Sequence, residues 1–290
     1  MEIKNIKKSF LLNDFQSFPK QQKIPIRGFC INLERRPDRW EAFKQAKPSE
    51  IKIMRFNAVD AKNFKEYMLK NPMDFLESKI GFDCDNTNNS PGVVGCFLSH
   101  YRLWKLIAKS TEFHDDELIY IFEDDANFVD NWFEKISSYM IGLSFTPNLL
   151  YIGGRFSPNF NVPENILNTN FEKISNNIFK FKAPGEPYYF DRTTHAYCIS
   201  KKGALEMIKT FNHYVDNKNT SGLIPVDTYM TSLHENMEMM DMNPHVCWSA
   251  IDFSTDIQGD FNIYDRPCVF KSSKKKNIPD VIDKDFYLSQ

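Results

Sequence analysis

Only six cysteines occur in 290 residues, with no C-x-x-C pair and no histidine pair at zinc-finger spacing. Neither a structural zinc site nor a secreted disulfide framework is expected, and cysteines lying inside apolar segments read as small core hydrophobes in a reducing compartment. Net charge is nearly absent as well. Thirty-six Lys and Arg against 38 Asp and Glu leave a formal charge of -2, so no overall field gathers nucleic acid and any anionic ligand must be held locally. No stretch approaches the roughly 20 apolar residues needed to span a bilayer, and no charged stub with an apolar core opens the chain. A cytoplasmic protein without a transmembrane segment is expected, with a peripheral position at a membrane as the alternative. No internal repeat is evident.

What is abundant is core material: 42% hydrophobic residues, including 26 Phe. A chain of this size buries roughly 75% of its unfolded surface. Ile26 to Leu33 reads as a buried strand, and Pro37 suits the first turn of a helix that carries Trp40 and Phe43 to Pro48. A second strand, Ile51 to Val59, leads to Asp60, placed to cap a helix with Phe64, Tyr67 and Met68. A polar run over 81–90 reads as a surface loop, after which Ser90 caps and Pro91 opens a long helix. Val94, Phe97, Leu98, Tyr101, Trp104 and Ala108 form its core stripe, with His100 off centre. Leu118 to Phe122 has the continuous apolar pattern of a central strand, and Leu149 to Ile152 repeats it before stopping at Gly153-Gly154. Residues 155–192 read as an irregular insertion. His195 to Ile199 resumes strand character, Ser200 caps a helix through Phe211, and Pro225 starts another to about Glu235. The organisation expected is an N-terminal arm (1–24), one α/β domain (25–268) and a flexible basic tail (269–290).

Glu123-Asp124-Asp125 directly follows the central strand. Three adjacent carboxylates repel one another unless a cation or strong donors are supplied. Alternation along an extended chain predicts Glu123 and Asp125 on one side and Asp124 on the other, so that two acids share one hard ion such as Mn²⁺ or Mg²⁺. An acidic turn exposed to water is the competing reading.

The segments I-N-L-E-R-R-P-D-R-W (31–40), P-G-V-V-G-C-F-L-S-H-Y-R-L-W (91–104), I-F-E-D-D-A (121–126), T-H-A-Y-C-I-S-K-K-G-A (194–204), P-V-D (225–227) and T-D-I-Q-G (255–259) follow one another in a familiar order. Together they resemble glycosyltransferase family 25, the lipooligosaccharide and procollagen galactosyltransferase type, over roughly residues 26–260. That resemblance implies a GT-A-like domain, a Rossmann-like mixed β-sheet flanked by helices. It implies an inverting transfer of a hexose, galactose or glucose, from a UDP-sugar to a hydroxyl of a glycan, lipid-linked glycan or glycoprotein, as in lipopolysaccharide biosynthesis. A catalytically inactive sugar-nucleotide-binding module and a metal-dependent phosphohydrolase are the alternatives.

Roles follow as expectations. Asn32, Arg35, Arg36 and Arg39 stand at a strand end and helix start, where planar donors suit a nucleotide, with a solvated helix face or pairing of the arginines with Glu34, Asp38 and Glu41 as the alternative. The resemblance places Ser99 and His100 beside the donor and adds Asp124. His195 is either a strand-end residue or a substrate contact. Glu123, Asp125 and Asp256 are the expected metal ligands, with Gln258 at the diphosphate and Gly259 allowing close approach. Asp227, in the first turn of its helix, is the expected general base, with Asp191 or Glu186 in reserve. His245 is a further candidate ligand, or the end of a strand.

Overall fold

The computed structural model describes residues 26–61, 91–141, 143–154, 167, 171–182, 193–217, 225–233 and 237–249. The arm, the Asp60-capped helix, the polar run over 81–90, Glu186, Asp191, Asp256, Gln258, Gly259 and the basic tail lie outside them.

A β-α-β unit opens the described residues: β1 (Arg27–Asn32), α1 (Pro37–Ala46) and β2 (Lys52–Asn57). Pro37 occupies the first helical turn, where its missing N–H leaves no acceptor unpaired. The long helix α2 (Pro91–Lys109) then precedes β3 (Leu118–Glu123), β4 (Ala126–Phe128) and α3 (Trp132–Met140). The chain continues through β5 (Leu149–Tyr151), β6 (Gly153–Gly154), β7 (Phe171–Lys173), β8 (Ile178–Phe181) and β9 (Ala196–Ser200). It finishes with α4 (Lys201–Asn217), α5 (Val226–Thr231), β10 (Met239–Met242) and β11 (Cys247–Ser249).

Eight strands form one sheet in the order β2-β1-β3-β9-β5-β10-β8-β7, and β4-β11-β6 form a small second sheet. β1 runs parallel to both β2 and β3, while β9 is inserted antiparallel between β3 and β5. The sheet is therefore mixed, as the resemblance implies. Side chains alternate across it and fill two cores. On one face Ile31, Ile121, Tyr197, Ile199 and Met239 pack with Val94, Phe97, Trp104, Met207, Phe211 and Tyr229 from α2, α4 and α5. On the other, Cys30, Phe122, Leu150, Cys198 and Met240 pack with Phe43, Trp132 and Ile136 from α1 and α3. Helices thus cover both faces.

The Ser200 hydroxyl accepts from Gly203 N–H at 3.0 Å and caps α4. A Cβ on Gly203 would come within 2.0 Å of the Asn148 carbonyl oxygen, so the glycine of the K-K-G-A segment is there for close helix-to-sheet packing. Several sequence expectations are revised. Gly153-Gly154 does not end regular structure but pairs with β11. Part of the expected irregular insertion supplies β7 and β8, which extend the sheet at its far edge. Pro225 sits just before α5 rather than within it, and α5 ends at Thr231. β10, with the composition M-M-D-M, carries no β-branched residue and is a strand because β5 and β8 pair with it on either side.

Candidate active site

β1 and β3 are parallel neighbours, with Ile31 in register with Glu123. Their carboxyl ends therefore open side by side, the usual ligand position in an open α/β sheet. There a cavity of about 120 Å³ is lined by Arg35 and Arg39, by Gly95, Cys96, Ser99 and His100 of α2, by Asp60, and by Glu123, Asp124 and Asp125. This is smaller than the roughly 300–1,000 Å³ of a complete small-molecule pocket. The described walls frame the acidic end of a site.

The three acids have separate surroundings. A turn at 124–125 breaks the strand alternation, and Asp124 and Asp125 approach one guanidinium instead of facing apart: Arg39 Nη2 lies 2.5 Å from Asp124 Oδ1 and 3.5 Å from Asp125 Oδ2. Asn32 Nδ2 donates to Asp124 Oδ2 at 2.6 Å and to the Arg36 carbonyl at 2.9 Å. Asn32 Oδ1 in turn accepts from Arg55 Nε at 2.8 Å. Burial pushes the Asp124 carboxyl up to about 6 against the opposing pull of Arg39 and Asn32. Burial and the charge of Glu123 raise Asp125 as well. Ser249 Oγ donates to Asp125 Oδ2 at 3.1 Å, while Asp125 Oδ1 is buried and accepts no hydrogen bond among the described residues.

Glu123 turns toward α2. Its Oε1 accepts from Thr194 Oγ1 at 2.6 Å and lies 3.2 Å from His100 Nε2. Burial alone would raise this carboxyl, but the contacts with His100 and Thr194 outweigh it and hold it below the usual carboxylate range. His100 is fully buried although it lies off the centre of the apolar stripe of its helix. Its Nδ1 lies 2.9 Å from the Tyr197 hydroxyl, which accepts from Trp104 Nε1 at 2.9 Å. Cys96 Sγ lies 4.0 Å from Glu123 Oε1. Burial pushes its thiol up, and the charges of Glu123, Asp227 and Asp125 push it further.

Of the other expected residues, Ser99 and Arg35 line the cavity, whereas Arg36, His195, Asp227 and His245 are not among its described lining residues. Ser99 Oγ donates to the Gly95 carbonyl at 2.6 Å and accepts from Val59 N–H at 2.8 Å, which ties α2 to the end of β2. Arg35 meets Asp60 at 2.5 Å on the cavity wall. Arg36 pairs with Asp38 at 2.8 Å. His195 is buried behind the acids: Nε2 donates to the Gly154 carbonyl at 2.9 Å, Nδ1 lies 2.6 Å from Thr193 Oγ1, and its carbonyl accepts from Glu123 N–H at 3.0 Å. Asp227 lies in the first turn of α5, where Oδ1 accepts from Thr228 N–H at 2.8 Å. His245 is buried, and burial with help from His195 lowers it to about 3. It is neutral at pH 7.

Arg55, Cys96, Thr194 and Tyr197 were given no role by sequence reasoning. Arg55 sits in a strand of ordinary mixed polarity. Cys96 and His100 do carry a legible signal, a C-x-x-x-H spacing that brings both onto one helical face.

The sequence profile of glycosyltransferase family 25, described as an LPS biosynthesis protein family, matches residues 26–230. The chain belongs to glycosyltransferase family 25. That match runs from the start of β1 into α5 and includes every described acid of the site. Among relatives, the procollagen lysyl hydroxylase and glycosyltransferase of Acanthamoeba polyphaga mimivirus is 29% identical over 221 residues, covering 72% of this chain and 21% of its own. Human procollagen galactosyltransferase 2 is 28% identical over 214 residues, covering 71% of this chain and 30% of its own. Mouse inactive glycosyltransferase 25 family member 3 is 24% identical over 245 residues, covering 79% of this chain and 34% of its own. The chain thus spans about a third or less of the length of these family members. Among the described residues no helix is long and apolar enough to cross a membrane.

Proposed function

We propose that this family 25 chain is an inverting transferase that moves a hexose, galactose or glucose, from a UDP-sugar to a hydroxyl of a glycan or glycoprotein acceptor. The observation that carries the reading is the Asp125 carboxylate. One of its oxygens is buried at the carboxyl ends of β1 and β3 and is bonded to none of the described residues, beside a cavity that Arg35 also lines. A buried acceptor without a donor is costly unless a ligand completes it.

Oxygen donors of this kind fit Mn²⁺ or Mg²⁺, with Glu123 and Asp125 as the described ligands and Asp256 proposed as a third. When bound, such an ion supplies positive charge to the diphosphate of the donor. Asp124 serves differently. With both oxygens engaged by Arg39 and Asn32, it holds the turn that presents its two neighbours. Arg35, at the wall of the cavity, meets donor phosphate oxygens, with Gln258 proposed beside them. Asp227 accepts the proton of the acceptor hydroxyl as that oxygen bonds to the anomeric carbon and the carbon–oxygen bond to UDP breaks. Its helix α5 packs against α2, which carries Cys96 and His100 on the cavity wall.

The test is thermal unfolding of the full chain with Mn²⁺, with UDP, and with both, followed by hydrolysis of a panel of UDP-sugars. Ligands bound only by the folded state raise the transition. A larger shift with both than with either, together with release of UDP from one hexose donor, is the expected result. A shift without turnover identifies an inactive binding module, as the name of the mouse relative would lead one to consider. A shift with metal alone, together with phosphate release from simple esters, identifies a phosphohydrolase.

A further inference from the structure

Cys96 and His100 are four residues apart on α2, so both side chains leave the same helical face. Glu123, at the end of β3, meets them from the sheet. Cys96 Sγ, His100 Nε2 and a Glu123 oxygen all lie within 4.8 Å of one another, with Glu123 Oε1 at 3.2 Å from the histidine and 4.0 Å from the sulfur. Metal bonds of about 2.0 Å to nitrogen and oxygen and about 2.3 Å to sulfur place tetrahedral ligand atoms roughly 3.3–3.6 Å apart. The two contacts of Glu123 bracket that spacing, and a modest approach of Cys96 would complete it.

The surroundings fit a metal ligand set. A ligating histidine needs its second ring nitrogen held, and His100 Nδ1 lies 2.9 Å from a Tyr197 hydroxyl that Trp104 Nε1 anchors at 2.9 Å. All three residues line the same cavity, whose volume of about 120 Å³ has room for a water as a fourth ligand. Asp125 and Asp227 add negative charge at the sulfur. What sets this group apart from the Asp125 oxygens is softness. Thiolate and imidazole select zinc-like ions, whereas carboxylates alone select Mg²⁺ or Mn²⁺.

We propose that Cys96, His100 and Glu123 form a second divalent-cation site, selective for thiophilic ions of the Zn²⁺ class, which shares Glu123 with the acid triplet. Binding replaces the Cys96 thiol proton by a metal–sulfur bond and releases that proton to water. Because Glu123 serves both sites, Zn²⁺ opposes the oxygen-seeking ion of the transfer reaction. That last consequence rests on the transferase reading; the binding itself does not.

Co²⁺ reports on such a site through its visible bands and its sulfur-to-metal charge-transfer band. Titration of the metal-stripped full chain with Co²⁺ alone should develop a four-coordinate spectrum with a charge-transfer band that saturates at one equivalent. Zn²⁺ should abolish the spectrum and a large excess of Mg²⁺ should not. Cys96→Ser should lose the charge-transfer band and weaken Zn²⁺ binding by roughly tenfold or more, and Tyr197→Phe should weaken it by about tenfold with the band retained. On the unaltered protein, Zn²⁺ should slow alkylation of Cys96 by iodoacetamide, followed by mass spectrometry of its peptide. No charge-transfer band in the parent protein, an identical band in Cys96→Ser, or alkylation of Cys96 indifferent to Zn²⁺ would each overturn the site. A melting shift with Mn²⁺ and UDP that survives any of these results leaves the transferase reading standing, so the two failures are distinct.

Discussion

Arg39 on the first helix and Asp124 after the central strand form an ion pair at 2.5 Å with only 9% of either side chain exposed. The contact joins α1 to the turn that carries the acid triplet, so the middle acid holds the frame in which Glu123 and Asp125 are presented. Removing one member of a buried pair leaves the other charge stranded, at a cost of about 3–5 kcal/mol. Arg39→Ala should lower unfolding free energy toward the lower end of that range, since Asp124 is able to take up a proton instead. Urea denaturation at pH 7 measures it, and a loss below about 1 kcal/mol would show that the pair does not hold the turn.

Asp124 also makes stability depend on pH in a definite direction. Its carboxyl is raised by burial to about 6 in the folded chain, above the roughly 3.9 of an unfolded aspartate. Between those values the folded state binds more protons than the unfolded one, so stability falls as pH rises from about 4 to about 6, by about 3 kcal/mol at most. Asp125 is raised too and acts in the same direction. Glu123 is lowered and acts oppositely, but its contribution is lost only as pH falls below the ordinary carboxylate range. Denaturation of the metal-free protein across this window should show the decline, and Asp124→Asn should flatten it.

Arg35 faces the cavity while engaged with Asp60 at 2.5 Å. A hydrogen bond to a charged phosphate contributes about 1.5–3 kcal/mol, so Arg35→Glu should raise the Michaelis constant for the sugar-nucleotide donor roughly 10–100-fold. The acceptor constant should change far less. Steady-state kinetics with each substrate varied separately decides it, and an unchanged donor constant removes the contact.

Asp227 is tested by separating turnover from binding. If it takes the acceptor proton, Asp227→Asn should slow turnover by about 10²–10⁴-fold while the melting shift with Mn²⁺ and UDP stays as large as in the parent protein. Near-normal turnover would pass the role to another acid, with Asp191 and Glu186 next to be replaced.

The central elements were legible because their patterns are local. L-I-Y-I-F is a continuous apolar run and is buried on both faces. The stripe through Val94, Phe97, Leu98, Tyr101 and Trp104 has helical spacing and is buried as that spacing requires. β10 was not legible, since Met239 to Met242 gain strand geometry only from neighbours distant in sequence. The burial of His100 was not legible for a related reason. A polar residue on an apolar face looks misplaced until Tyr197 and Glu123 are brought to it from strands some 97 and 23 positions away.

The sequence by itself determined the α/β alternation, the family, and the presence of three acids at a strand end, because periodicity, helix-opening prolines and ordered motifs are properties of short stretches. Only the tertiary structure decided what each acid does. Asp124 is bound to Arg39, Asp125 keeps a buried oxygen bonded to none of the described residues, and Glu123 turns to His100 and Cys96. Those partners come from α1 and α2, far from the acids in sequence, and charge, burial and hydrogen bonding depend on distance in space rather than along the chain.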